Sequence, residues 1–213
     1  MIKIEVVAYT LDSAIMAADN GAHRIELCSG MAEGGTTPSF GTIAAASEIL
    51  EIPIHVMIRP RGGDFVYSPT EFESMKIDIE ICKKLNVDGV VFGILNPDNT
   101  VDKERCKELA QLALPLTSNF HRAFDRCSDP YKSLEDIIEC GFQRILTSGR
   151  EKIAMDSCGR LADLVRKSGD RIIIMPGGGV RKENLKTLAN ITRASEFHTS
   201  AINELQEMLN VVK

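Results

Sequence analysis

No apolar stretch in this chain approaches the ~20 residues that a membrane-crossing helix needs. The opening MIKIEVVAYT interrupts its first apolar segment with Lys3 and Glu5. A secretory leader requires an unbroken apolar core behind its positive charge, so no leader and no membrane span are expected, and a cytoplasmic location is. Basic residues form no cluster and the net charge is −5, which argues against nucleic acid as a partner. Acidic residues are scattered, so there is no acidic tail. The six cysteines include no C-x-x-C pair. Thiols so far apart read as reduced cysteines, not as a disulfide framework or a zinc site of ordinary spacing. No linker or low-complexity tract divides the 213 residues, so a single domain spanning 1–213 is expected.

What is present is a repeated unit. β-rich runs near 2–8, 24–28, 54–59, 89–95, 117–124, 143–148, 171–176 and 196–200 alternate with helical patterns near 11–20, 39–50, 69–86, 102–114, 130–140, 151–168, 181–190 and 202–211. Each start-to-start interval suits one strand and one crossover helix. GAHRI and GFQRI each place a glycine where a helix ends and an Arg-Ile pair where a strand begins, as a glycine C-cap would. Ser39, Ser68-Pro69 and Asp129-Pro130 mark helix starts. Eight βα units in succession imply an α/β fold, a (β/α)8 TIM-type barrel, with an open doubly wound sheet as the rival.

The strands separate the two. In IHVMIRPR, Ile54, Val56 and Ile58 share one face while His55, Met57, Arg59 and Arg61 share the other. RIELC divides Ile25 and Leu27 from Arg24, Glu26 and Cys28, and EFHTS aligns Glu196, His198 and Ser200. Strands of an open sheet covered by helices are apolar on both faces. One apolar and one polar face fits a closed barrel, with helices outside and a polar interior. Lys3, Arg24, Arg144, Arg171 and Glu196 fall at strand starts and read as structural ion pairs at the floor. Unpaired charge inside would cost several kcal/mol, so Glu5 and Glu26 need partners, with Arg59, His121 and His198 available. Arg122 breaks the alternation and is expected to lean over the rim.

At the strand ends, where barrels of this kind carry their sites, the candidates collect. IRPRGGDF offers Arg59 and Arg61, guanidinium forks suited to carboxylate or phosphate. The run Gly177, Gly178, Gly179 after the seventh strand, with Ser200 after the eighth and Ser148 in LTSG, suits an anion at a helix start. His121 and Asp125 in FHRAFD could form an acid–base pair, and His121 could equally be a core histidine bonded to Glu26 or Glu5. Glu26, Arg59, His121, Asp125 and His198 are thus the catalytic candidates, and Arg61, Ser148, Gly177, Gly178, Gly179 and Ser200 the anion-binding ones. A soft ion such as Cu(I) would want thiolate, thioether or imidazole. Cys28 and Cys127 lie at top-side positions and are the metal candidates, with Met57 pointing inward, although a small buried side chain is the plainer role for Cys28.

Taken together, GAHRIELC, EGGTTPSFG, MIRPRGGDFVYS, FHRAFD, RILTSG, GGGV and HTSA resemble the copper homeostasis protein CutC family, in that family's order from Glu5 to Ala201. The resemblance implies a (β/α)8 barrel, a cytoplasmic homo-oligomer and a role in copper handling with copper, as Cu(I), bound. The sequence differs from the family's pattern in carrying Val7 and Ala8 where a cysteine often follows the first strand's Glu-Val, and Val66 where some members have cysteine. INELQEMLNVVK follows HTSA directly where many have a longer polar loop. Two functions stay open: a copper-binding homeostasis protein, or an enzyme acting on a small anionic or phosphorylated metabolite at the C-terminal mouth of the barrel.

Overall fold

The computed structural model describes residues 2–212. Strands β1 (Lys3–Ala8), β2 (Arg24–Leu27), β3 (Ile54–Met57), β4 (Gly89–Phe92), β5 (Thr117–Phe120), β6 (Arg144–Thr147), β7 (Ile173–Pro176) and β8 (Glu196–Thr199) alternate with helices α1 (Leu11–Asp19), α2 (Phe40–Ile49), α3 (Pro69–Lys84), α4 (Lys103–Ala113), α5 (Pro130–Glu139), α6 (Cys158–Ser168), α7 (Lys182–Thr192) and α8 (Leu205–Val211). All strand pairs are parallel, in the order β7-β6-β5-β4-β3-β2-β1-β8. β7 and β8 lie side by side without a hydrogen-bonded ladder among the described residues. The eight strands make a nearly closed (β/α)8 barrel, with side-chain packing at one seam. No helix among the described residues is long and apolar enough to cross a membrane.

Local chemistry sets the units. Thr10, Ser39, Ser68, Asp102 and Asp129 each accept a backbone N–H at a helix start, satisfying donors that have no partner inside the helix. Gly21 and Gly141, at φ of +91° and +89°, turn the chain out of α1 and α5 in a conformation that a Cβ disfavours.

The alternation of the strands is realised in space. Ile4, Val6, Ile25, Leu27, Ile54, Val56, Val90, Phe92, Phe120, Ile145, Ile174 and Phe197 join the layer between strands and helices. Val7, Cys28, Met57 and Val91 form a separate apolar cluster, whose members alternate with that layer along β1 to β4 and so face the barrel interior. The floor holds the expected ion pairs. Arg24 donates to Glu5 (2.5 Å) and Glu196 (2.6 Å), and Arg144 to Glu196 (2.8 Å). Arg171 instead pairs with Glu135 at the exposed surface, and Lys3 is exposed.

The strand expected over 117–124 ends at Phe120, and Arg122–Arg126 is a 3-10 turn. The cause is local: Nδ1 of His121 accepts the N–H of Ala123, capping the turn and drawing the backbone away from the sheet.

Candidate functional site

A cavity of about 230 Å³ opens at the C-terminal ends of the strands, lined by Val7, Tyr9, Glu26, Met57, Arg59, Phe65, His121, Arg122, Leu146, Gly178, Gly179, Arg181, His198, Thr199 and Ser200, with Gly34. Four of the five catalytic candidates, Glu26, Arg59, His121 and His198, meet here although they come from different strands.

Below the cavity the charges form a chain. Nδ1 of His198 lies 2.8 Å from Glu5 Oε1, and its Nε2 lies 3.8 Å from Glu26 Oε2. Glu5 also holds Arg24, which continues to Glu196 and Arg144. Burial alone would raise the Glu5 carboxyl. The His198 hydrogen bond and the charges of Arg24 and His198 outweigh it and hold Glu5 well below the carboxylate range. Glu26 has less support. Burial, reinforced by the Glu5 charge and opposed by His198, pushes it up to about 7. Burial lowers His198, but Glu26 and Glu5 outweigh that and raise it. Glu26 Oε1 has no hydrogen-bond partner, and such a buried orphan costs ~1–3 kcal/mol. Glu5, Glu26 and His198 each present one ligand atom within 4.8 Å of the others. This oxygen-rich set suits a hard divalent cation better than Cu(I).

His121 is buried against Phe65, with ring centroids 4.7 Å apart. Because Nδ1 accepts from Ala123, the ring proton of the neutral form sits on Nε2, which also has no partner. Burial, with the Arg59 charge, lowers its pKa to about 3, so at neutral pH His121 is an uncharged donor and is not bonded to Glu26 or Glu5. His55 lies deeper, between Asn119 (2.6 Å) and Thr117 (3.1 Å), and burial lowers it to about 3.

Several candidates are placed elsewhere. Asp125 does not meet His121; its carboxylate accepts from Arg122, from Thr147 Oγ1 (2.5 Å) and from the N–H groups of Ser148 and Arg150 (both 3.1 Å), so it braces the rim. Ser148 is fully buried in that network, bonded also to Glu151 O, and does not line the cavity. Arg61 lies outside the cavity, bound to Glu71 (2.6 Å) and Asp64 (2.9 Å). Arg59 lines the cavity but donates to the carbonyls of Glu33, Gly35 and Gly63. It therefore ties the loops after β2 and β3 together and does not pair with Glu26. Gly177 serves the seam, since a Cβ there would stand 2.5 Å from Leu146 Cδ1 and 3.1 Å from His198 Cβ. Gly178, Gly179 and Ser200 do reach the cavity. Arg122 leans over the rim as expected. Arg181 was not anticipated, although its place two residues after the glycine run was the available signal.

The two cysteine candidates lie in different layers. Cys28 belongs to the interior cluster with Met57, and its Sγ is 3.7 Å from Glu26 Oε2. Burial, then the neighbouring Glu26, pushes its thiol well up. Cys127 is in the strand–helix layer, its thiol directed to Ala123 O.

The profile of the CutC family matches residues 2–203. The chain is 49% identical over 199 residues to the family protein CutC of Parabacteroides distasonis, covering 93% of this chain and 82% of that protein. It is 46% identical over 198 residues to the human protein named copper homeostasis protein cutC homolog, covering 93% of this chain and 72% of that one. The crystal structure of CutC from Streptococcus agalactiae superposes with a TM-score of 0.90 at 37% identity, covering 95% of this chain and all of that one.

Proposed function

Because the chain belongs to the CutC family, we propose that it acts in copper homeostasis, as the shared name of its human and mouse relatives states, and that it binds Cu(I) at the base of the barrel mouth. The observation that carries the site is the interior pairing of one thiol with one thioether. Cys28 and Met57 sit together under the cavity, and a Cβ on Gly35 would lie 3.3 Å from Cys28 Sγ and 3.5 Å from Met57 Cε. Thiolate and thioether are the soft donors that Cu(I) prefers over carboxylate. The raised thiol pKa means that binding must expel the Cys28 proton. Glu26, already hydrogen-bonded to that thiol, is the nearest acceptor. Cys127, in the outer layer, takes no part. We place the protein in the cytoplasm, in keeping with six cysteines that are all free thiols.

The test is anaerobic Cu(I) titration against a competing chelator. Cys28→Ala should weaken binding by at least about tenfold, and Cys127→Ala should leave it unchanged. Unchanged affinity in Cys28→Ala would remove the site.

A further inference from the structure

Beyond copper, we propose that the barrel mouth binds a small phosphorylated, hydroxyl-bearing metabolite, its phosphate between Arg122 and Arg181 and its hydroxyl end between Glu26 and His121. The chain carries a net charge of −5, yet this cavity collects Arg59, Arg122 and Arg181 against the single carboxylate of Glu26. A recess lined by one sign of charge with low-dielectric walls concentrates the opposite sign.

Of the two rim arginines, Arg122 is held in an ion pair and Arg181 by carbonyl and hydroxyl oxygens. Arg122 is aimed by Asp125 (2.8 Å from Nε) and Ser148 (2.7 Å from Nη2). Its Nη1 is left beside Gly178, 3.7 Å from where a Cβ on that residue would stand. Arg181 donates through Nη1 to the Val180 carbonyl (2.8 Å) and reaches exposed Ser200 at 3.3 Å through Nη2. Gly178 and Gly179 form the wall of the cavity beside them. A side chain on Gly178 would also press on Lys152 O and Ser148 Cβ, each 3.1 Å away, so glycine keeps the approach to the guanidinium open. Planar forks of this kind match phosphate oxygens.

The deep end carries complementary vacancies in hydrogen bonding. Glu26 and His121 are each 3% exposed. Oε1 of Glu26 is an acceptor and Nε2–H of His121 a donor, both without partners. The ligand's hydroxyl end lies here, where hydroxyl groups accept from His121 and donate to Glu26. The cavity, about 230 Å³, has room for a small ligand.

The test is calorimetric titration of copper-free protein with inorganic phosphate, glycerol, glycerol 3-phosphate and glycerate, so a failure of the copper reading leaves the result interpretable. Glycerol 3-phosphate should bind at least about tenfold more tightly than phosphate or glycerol alone. Arg181→Gln removes the guanidinium, and with it a 2.8 Å bond to the Val180 carbonyl, and should weaken phosphate and glycerol 3-phosphate alike by about tenfold or more while leaving the melting temperature within a few degrees. His121→Asn keeps an oxygen for the Ala123 N–H, but its shorter side chain has no donor at the Nε2 position, so it should weaken glycerol 3-phosphate and leave phosphate unchanged. Equal affinity for phosphate and its glycerol ester, binding unaffected by Arg181→Gln, or glycerate binding as tightly as glycerol 3-phosphate would each overturn the assignment.

Discussion

Glu5 and His198 are register partners across β1 and β8, and the carboxylate Oε1 stands 2.8 Å from the imidazole Nδ1. This contact joins the ion pairs of the floor to the mouth, because the other Glu5 oxygen takes Arg24 and the other face of His198 turns to Glu26. A buried carboxylate between a guanidinium and an imidazole orients both while its own desolvation is offset.

Removing that centre should be costly. Glu5→Ala leaves Arg24 buried with only Glu196 and frees the His198 ring. Loss of one partner from a buried pair typically costs ~3–5 kcal/mol. Urea unfolding of the variant should show a loss of that order, and a change below about 1 kcal/mol would mean that the contact carries no more than a surface pair.

Glu26 should make stability fall with rising pH. Its carboxyl is held at about 7 in the fold, against ~4.3 in an unfolded chain. Between those values the native state keeps a proton that the unfolded chain has released, so stability declines through the window and levels off above it. His198, also raised, works in the same sense: its contribution is full below its unfolded pKa and fades as pH rises through the folded value. In Glu26→Gln the decline should shrink by on the order of 2 kcal/mol, read as the difference in unfolding free energy between acidic and neutral buffer. Parallel curves for the two proteins would contradict the raised pKa.

Val7 packs in the same interior cluster as Cys28 and Met57. Val7→Cys should supply a second thiolate there and raise Cu(I) affinity by about tenfold or more, measured by chelator competition. A variant that folds but binds no better would argue that Cys28 is not a ligand.

Gly177→Ala tests the seam. Its Cβ would meet Leu146 Cδ1 at 2.5 Å and His198 Cβ at 3.1 Å, and overpacking of this kind costs ~1–3 kcal/mol. Thermal unfolding should register that loss. An unchanged melting temperature would show that β7 and β8 can part to admit the methyl group.

The sequence by itself determined the eight units, the helix caps and the division of each strand into an apolar and a polar face, because capping and period-two alternation are local. It therefore put Glu26, Arg59, His121 and His198 on the interior, and Arg24, Arg144 and Glu196 at the floor. Closure of the barrel decided which interior groups meet, because strand register and tilt bring together residues nearly two hundred positions apart. Hence Glu5 takes Arg24 and His198 (|i−j| of 19 and 193) and Arg59 is spent on loop carbonyls. Asp125 serves Thr147 and Ser148, and Cys127 lies a layer away from Cys28. A charge written on a strand shows only that some partner must exist; the ring of neighbours supplies which one.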